Sequence, residues 1–305
     1  MIFEVIGVMK TANKLLVLAV VVLTCFSLEG CSYVKDEYLP DLIDGLCETG
    51  EYAKAILLTE LLLKIEEISN PEHQNTVHIL NCLASLYCET KNYAKAEPLY
   101  KRSLKINEKV LGPEHPNTLK SLSKLAKLYR KMGDYAKAEP LLQRSLKIKE
   151  KVFGLEHPRV AGGLNNLAEL YRDMENYAKA ESLTRRSLKI LEKSFGAESP
   201  FIAFGLSDLA TLYYEMGDYA RAEPLYQRSL KISSKALGPE HPNTATGLNN
   251  LAELYRETGD YAKAESLLQR SLKIREKVLG ANHPDTVLVR DNLKELHEKM
   301  NEAKR

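Results

Sequence analysis

Tyr135-Ala-Lys-Ala-Glu-Pro-Leu-Leu-Gln-Arg-Ser-Leu-Lys-Ile148 decides the fold, because it does not occur only once. Its opening word, Tyr-Ala-Lys/Arg-Ala-Glu, and its closing word, Arg-Ser-Leu-Lys-Ile, also recur from Tyr93, Tyr177, Tyr219 and Tyr261. Each of these tyrosines stands 42 residues after the one before, and a degenerate copy opens at Tyr52. A fixed period between about 20 and 50 residues marks a solenoid, in which one repeat cannot bury its apolar face alone and stacks on its neighbours. The period therefore bears on architecture and on function class together.

Working outward from that stretch gives one complete repeat, His115 to Gly154. His115-Pro116 puts proline at a helix's first position, where a missing N–H costs nothing, with His115 at the cap. Leu122, Leu125, Ala126 and Tyr129 follow at helical spacing as one apolar stripe. Gly133 suits a left-handed turn, and Asp134 can cap the next helix. That helix turns Tyr135, Ala138, Leu141, Leu142, Leu146 and Ile148 inward and ends near Phe153-Gly154. The spacing predicts antiparallel helices of roughly 16 and 19 residues. Ala84, Ala126, Ala168, Ala210 and Ala252 on the first helices, with Ala96, Ala138, Ala180, Ala222 and Ala264 on the second, allow close crossing, where a larger residue would overpack. Pro98, Pro140 and Pro224 each delete a backbone bond inside a second helix and predict a bend there.

Leu-Ala-x-Leu-Tyr, with the alanine of Ala-Lys-Ala-Glu nine residues after the tyrosine, resembles the tetratricopeptide repeat, with Leu80, Leu122, Leu164, Leu206 and Leu248 where many copies carry tryptophan. The 42-residue period, Leu164-Asn-Asn-Leu-Ala168 and Gly238-Pro-Glu-His-Pro242 resemble the long version found in kinesin light chains and their bacterial relatives. The resemblance implies an all-α fold, an α-α superhelix of about six helix-turn-helix repeats plus a C-terminal capping helix. The repeats span residues 40–68, 73–110, 115–152, 157–194, 199–236 and 241–278, within a solenoid of residues 40–304. The capping helix, 283–304, carries Lys294 and His297 in place of alanine and tyrosine. No heptad region of the motor-binding kind is present, so the motor-adaptor role does not carry over. What the resemblance implies is an inner groove, lined by first helices, that holds an extended peptide.

The stripe opposite Leu122, Leu125 and Tyr129 is free of core duty and reads Lys120, Lys124, Lys127 and Lys131, with Arg130 beside it. The same slots read Gly162, Asn166, Glu169 and Asp173, then Phe204, Asp208, Thr211 and Glu215, then Thr246, Asn250, Glu253 and Glu257. A basic patch is thus followed by acidic positions. Asn81, Asn165, Asn166, Asn249, Asn250 and Asn292 cluster in one turn of these helices. An amide offers donor and acceptor together and can clamp a peptide backbone without reading its side chains. In the proteins this chain resembles, asparagines of this turn do contact peptide backbone. Arg172 and Arg256 complete the candidate groove set. The expected ligand is an extended, partly acidic protein segment; a self-assembling structural or accessory lipoprotein of an envelope machinery and a regulator of a separately encoded enzyme are the alternatives.

Composition narrows the class further. The chain has 305 residues, 44% hydrophobic and 28% charged, with a net charge of +2 that is unchanged without residues 1–30. That balance argues against nucleic acid as a partner. Arg102, Arg144, Arg186, Arg228 and Arg270, with Lys105, Lys147, Lys189, Lys231 and Lys273, run along the second helices. The recurring Glu97, Glu139, Glu181, Glu223 and Glu265 point to structural ion pairs there. His73, His115, His157, His241 and His283 mark one loop of successive repeats, too far apart to share a metal, and read as caps. No phosphate-cradling glycine loop, nucleophile elbow or zinc spacing occurs. A non-enzyme without cofactor, metal or catalytic residues is expected.

The N-terminus reads as an export signal. Lys10 and Lys14 precede Leu15-Leu-Val-Leu-Ala-Val-Val-Val-Leu23, a basic region and a short apolar run, shorter than the about 20 residues of a comfortable membrane span. Met9 gives a tidier start than Met1. Leu28-Glu29-Gly30-Cys31 resembles a bacterial lipobox, with Glu29 departing from the usual small residue, so residues 1–30 read as signal peptide, Cys31 as a lipidation site and 31–39 as tether. A lipid anchor to a membrane, ordinary secretion or an uncleaved anchor, and self-association through exposed solenoid ends, are the readings that follow. Cys47 and Cys88 share a position in successive repeats, so stacking holds them about 10 Å apart, beyond the roughly 7 Å Cα limit of a disulfide. With Cys82 they read as free, partly buried thiols.

Overall fold

The computed structural model describes residues 39–302. The expected signal segment, the lipidation site at Cys31 and the tether as far as Tyr38 lie outside the described residues. Thirteen helices and no strand occur among the described residues, in two compact units divided after Met132. The N-terminal unit holds α1 (Leu39–Glu48), α2 (Tyr52–Ser69), α3 (Gln74–Glu89), α4 (Tyr93–Leu111) and α5 (Pro116–Lys131). The C-terminal unit holds α6 (Tyr135–Phe153), α7 (Pro158–Asp173), α8 (Tyr177–Phe195), α9 (Pro200–Glu215), α10 (Tyr219–Ala236), α11 (Pro242–Glu257), α12 (Tyr261–Leu279) and α13 (Pro284–Glu302). Within each unit, helices pack mainly on their neighbours in sequence, as a solenoid requires.

Local chemistry sets the helix ends. Nδ1 of His73, His115, His157, His241 and His283 accepts from the backbone N–H two residues on, at 3.1–3.3 Å, and Ser199 Oγ does so at 3.4 Å in the copy that lacks histidine. Each cap satisfies one donor that the helix start leaves over. Gly133 takes φ +74°, which lets the chain turn before Asp134 accepts from Lys137 N–H at 3.3 Å and starts α6. Helices α4, α6 and α10 run unbroken through Pro98, Pro140 and Pro224.

The core is a repeated strip. All ten alanines of the crossing positions are buried, and Leu80, Leu122, Leu164 and Leu248 have no exposed surface. Burying a leucine or isoleucine of this kind contributes about 1.5–3 kcal/mol. In the C-terminal unit, Ile202, Ala203, Leu206 and Ile232 form one cluster with Leu188, Leu191 and Leu225 against it; Ala245, Leu248 and Ile274 form the next.

Polar ladders tie each repeat to the one before. Tyr129 donates to Glu97 at 2.9 Å, Tyr171 to Glu139 at 2.6 Å, Tyr213 to Glu181 at 2.6 Å and Tyr255 to Glu223 at 2.7 Å; Tyr87 donates to Glu60 in the same way. The recurring glutamates therefore receive tyrosine hydroxyls of the next first helix, while the arginine ladder reaches back along the second helices. Arg102 pairs with Glu67, Arg186 with Glu150 at 2.8 Å and Arg228 with Glu192 at 3.4 Å. Sequence spacing within one repeat suggested the nearer glutamates, but the stacking offset brings the previous repeat's carboxylates within reach. A third rung pairs Lys109 with Glu72 at 2.6 Å, Lys235 with Glu198 at 3.1 Å and Lys277 with Glu240 at 2.5 Å; Lys193 meets Glu156 likewise.

Candidate functional site

In the N-terminal unit the candidate residues stand on α3 and α5. Lys120, Lys124, Lys127 and Lys131 are exposed on α5, because Leu119, Leu122, Leu125, Ala126, Leu128 and Tyr129 take its buried face. Among the described residues no carboxylate pairs with Lys120, Lys124 or Lys127, and Lys131 lies 3.6 Å from Glu89. Arg130 is half-buried on the same helix. Lys124, Lys127 and Lys131 line a recess of about 190 Å³ with Leu128, Ser85, Cys88, Glu89 and Tyr100. Burial pushes the Tyr100 hydroxyl up to about 12, so it stays protonated and able to donate; it contacts Ser85 and Cys88. Burial likewise raises the Cys88 thiol, against the pull of Lys131 and Lys127.

Beneath the lysines lies a polar network specific to this unit. Ser103 Oγ donates to Asn81 Oδ1 at 3.1 Å and meets Ser121 Oγ at 3.2 Å, and Asn107 Nδ2 donates to Ser121 Oγ at 2.9 Å. Gln74 closes it, donating to Asn107 Oδ1 at 3.2 Å and accepting from Asn117 at 3.2 Å. Later copies put Gly163, Gly205 and Gly247 at the Ser121 position. Such a satisfied network fixes α3, α4 and α5 in register and so sets where the lysines of α5 stand relative to α3 and α4. Asn81, offered by the sequence as a ligand contact, is spoken for in part by Ser103.

In the C-terminal unit the candidates stand on α7 and α11. Asn165 lines a small recess with Glu169, Arg172, Thr184 and Asp208. Arg172 Nε lies 3.7 Å from Glu215, and Arg256 reaches Glu253 at 2.6 Å, Glu257 at 3.3 Å and Glu295 at 3.6 Å, so both charges are largely answered within the protein. Asn250 donates to Ser207 at 3.3 Å and Asn249 accepts from Asn292 at 3.4 Å, each bond joining neighbouring repeats. Asn166 is half-buried on α7. Asp208 is exposed on α9, yet the groups gathered around it and the charge of Glu169 lift its carboxyl to about 6, with Arg172 opposing. Burial also raises Glu215 and Glu253.

Sequence reading missed Tyr100 and Ser85, and passed over the environment of Asp208. Tyr100 carries a usable signal, standing where other copies have Leu142, Thr184, Tyr226 and Leu268. The raised carboxyl of Asp208 carries none, since it depends on packing across α7 and α9. Among the described residues no group of three or more histidine, cysteine, aspartate or glutamate side chains could hold a metal, and no helix is long and apolar enough to cross a membrane.

Stacked helix pairs in a 42-residue register, with polar side chains spread over one face of the first helices, define a repeat protein of the α-solenoid class. A family model described as tetratricopeptide repeat matches residues 75–151, 159–235, 205–277 and 244–305, and a second of the same description matches 123–194. The chain belongs to the tetratricopeptide repeat family, whose members are generally protein–protein interaction scaffolds. Similar solved structures include a Podosopora anserina protein described as a kinesin light chain with nearly identical repeats, at 27% identity over 67% of this chain and 96% of that one, with a TM-score of 0.56. BtubC from P. vanneervenii is 25% identical over 82% of this chain and 95% of its own, with a TM-score of 0.58. A tetratricopeptide repeat protein of Parabacteroides merdae shares the fold at 18% identity, with 97% of each chain covered and a TM-score of 0.61. No curated protein sequence matches the chain.

Proposed function

We propose that the protein is a non-catalytic adaptor that holds an extended, partly acidic peptide segment against the first-helix face of its N-terminal unit. The observation that carries this reading is the set of ammonium groups on Lys120, Lys124 and Lys127, exposed and, among the described residues, without carboxylate partners. What sets the stripe apart is concentration: Lys120, Lys124, Lys127 and Lys131 share one face of α5, whereas the exposed Lys105, Lys147, Lys189, Lys231 and Lys273 stand one to a second helix. Uncompensated like charges along one helix repel one another, and an anionic segment laid over them relieves that repulsion. Export and lipid attachment at Cys31 belong to the same proposal and would place the adaptor at a membrane surface.

The test is capture of partners from membrane extracts, followed by mass spectrometry, with wild-type protein and the Lys120→Glu, Lys124→Glu, Lys127→Glu triple variant. The acidic partners should be lost from the variant and should elute from the wild type as salt is raised. Equal capture by both proteins would sink the reading. Radiolabelled palmitate incorporation, present in wild type and absent in Cys31→Ala, tests the anchor.

A further inference from the structure

The recess behind the stripe points to one chemical group. We propose that it is a phosphomonoester pocket, in which Lys124, Lys127 and Lys131 bind the phosphoryl group of a phosphorylated side chain on the partner peptide, with Tyr100 and Ser85 as further hydroxyl donors. This deepens the adaptor reading and rests on it.

The first argument is charge. Three ammonium groups and the Glu89 carboxylate face the recess, leaving two positive charges unanswered. A carboxylate side chain answers one of them. A phosphomonoester above its second pKa of about 6 carries close to two negative charges and answers both. The second is hydrogen bonding: each ammonium brings three donors and each hydroxyl one, a supply suited to three phosphoryl oxygens and excessive for two carboxylate oxygens. Tyr100 keeps its proton to about 12 and hydrogen-bonds with Cys88 and Ser85, so donation to an oxyanion would turn its hydroxyl away from the Cys88 sulfur.

Shape argues for a protruding side chain. The recess, about 190 Å³, lies among α3, α4 and α5 and has room for about six waters. A group projecting from a peptide reaches into such a space, whereas the headgroups of a flat bilayer meet the exposed ridge. The pocket is also specific to one repeat. At the positions of Lys124, Lys127 and Lys131 the later copies carry Asn166, Glu169 and Asp173, then Asp208, Thr211 and Glu215, then Asn250, Glu253 and Glu257. No other copy offers the same charge.

The experiment uses the full chain and three matched degenerate peptide libraries whose central residue is phosphoserine, glutamate or serine. Vesicles of phosphatidylcholine with phosphatidic acid are run alongside. The phosphoserine library should bind on the order of tenfold more tightly than the glutamate library. The preference should fade below about pH 6, as the phosphoryl group takes up its second proton. It should also vanish in Lys127→Ala and in Tyr100→Phe, whose melting temperatures show whether the fold is kept. Should either variant fail to fold, Lys124→Gln on the exposed face must abolish the preference instead. Equal binding of phosphoserine and glutamate peptides overturns the phosphomonoester pocket and leaves the acidic-peptide adaptor standing. Binding of neither library overturns both, and binding to the vesicles alone overturns both in favour of a lipid surface.

Discussion

Asp208 shows how one residue can work against the fold that holds it. Its carboxyl has an ordinary value of 3.8 and is raised to about 6 by desolvation, then by Glu169. Between those values the folded protein keeps a proton that the unfolded chain has lost, so stability falls as pH rises through that window and the penalty is complete above about 6. Asp208→Asn should therefore melt at a higher temperature than wild type at pH 7.5, and the difference should close by pH 4. The effect is reduced by solvent screening, since Asp208 is exposed. A difference that is the same at both pH values would refute the assignment. Gly205 carries a steric constraint of another sort. A Cβ there would stand 2.7 Å from Leu188 Cδ2, whereas at Gly162 it would meet nothing within 4 Å. Gly162→Ala, in an open helix interior, should stabilise by about 0.5–1 kcal/mol, while in Gly205→Ala the same helix gain is outweighed by overpacking of about 1–3 kcal/mol against Leu188. Urea midpoints of the two variants should move in opposite directions; movement in the same direction contradicts the packing account.

At the scale of the element, first helices begin the same way: a histidine or serine cap and then, in five of the six from α3 onward, proline at the first position. Loss of one cap costs about 0.5–2 kcal/mol. His157→Ala and His241→Ala act two repeats apart, so their costs should add within about 0.5 kcal/mol in a double variant, measured by denaturant titration. A strongly non-additive pair would mean that the two helices do not start independently. These starts were legible in the sequence because a cap, a first-turn proline and an apolar stripe are local, and so was the burial of alanines such as Ala126 and Ala264. The exposed lysine stripe was legible for the same reason, as the complement of the buried one. Partnerships across repeats were not. Arg186 meets Glu150 and Asn250 meets Ser207 only because stacking shifts one repeat against the next by an amount no single repeat encodes. Tyr100 was hidden for a related cause: it joins the lysines through α4, although it lies far from them in sequence.

At the scale of the whole molecule, a solenoid lacks a single centre, so damage at one place should stay near that place. The last helix of the C-terminal unit tests this. α13 buries Thr286, Val289 and Leu296 and packs on α12. It is fastened by Arg275 to Asp285 at 2.9 Å, by Arg290 to Glu276 at 2.9 Å and by Asn292 to Asn249 at 3.4 Å. His297 stands where earlier copies have the ladder tyrosine and reaches Glu265 at 2.8 Å. Removing residues 281–305 would expose the face of α12 that α13 covers and leave Arg275, whose side chain is 10% exposed, without Asp285. Contacts of α7, α8 and α9 with one another involve none of these groups. Hydrogen exchange on the truncated chain should therefore show lost protection in α12 and part of α11, with α7 and α8 protected as in wild type. Uniform loss across the C-terminal unit would instead mean that its repeats fold as one cooperative body, in which a change at α13 reaches the Asp208 recess as readily as it reaches α12.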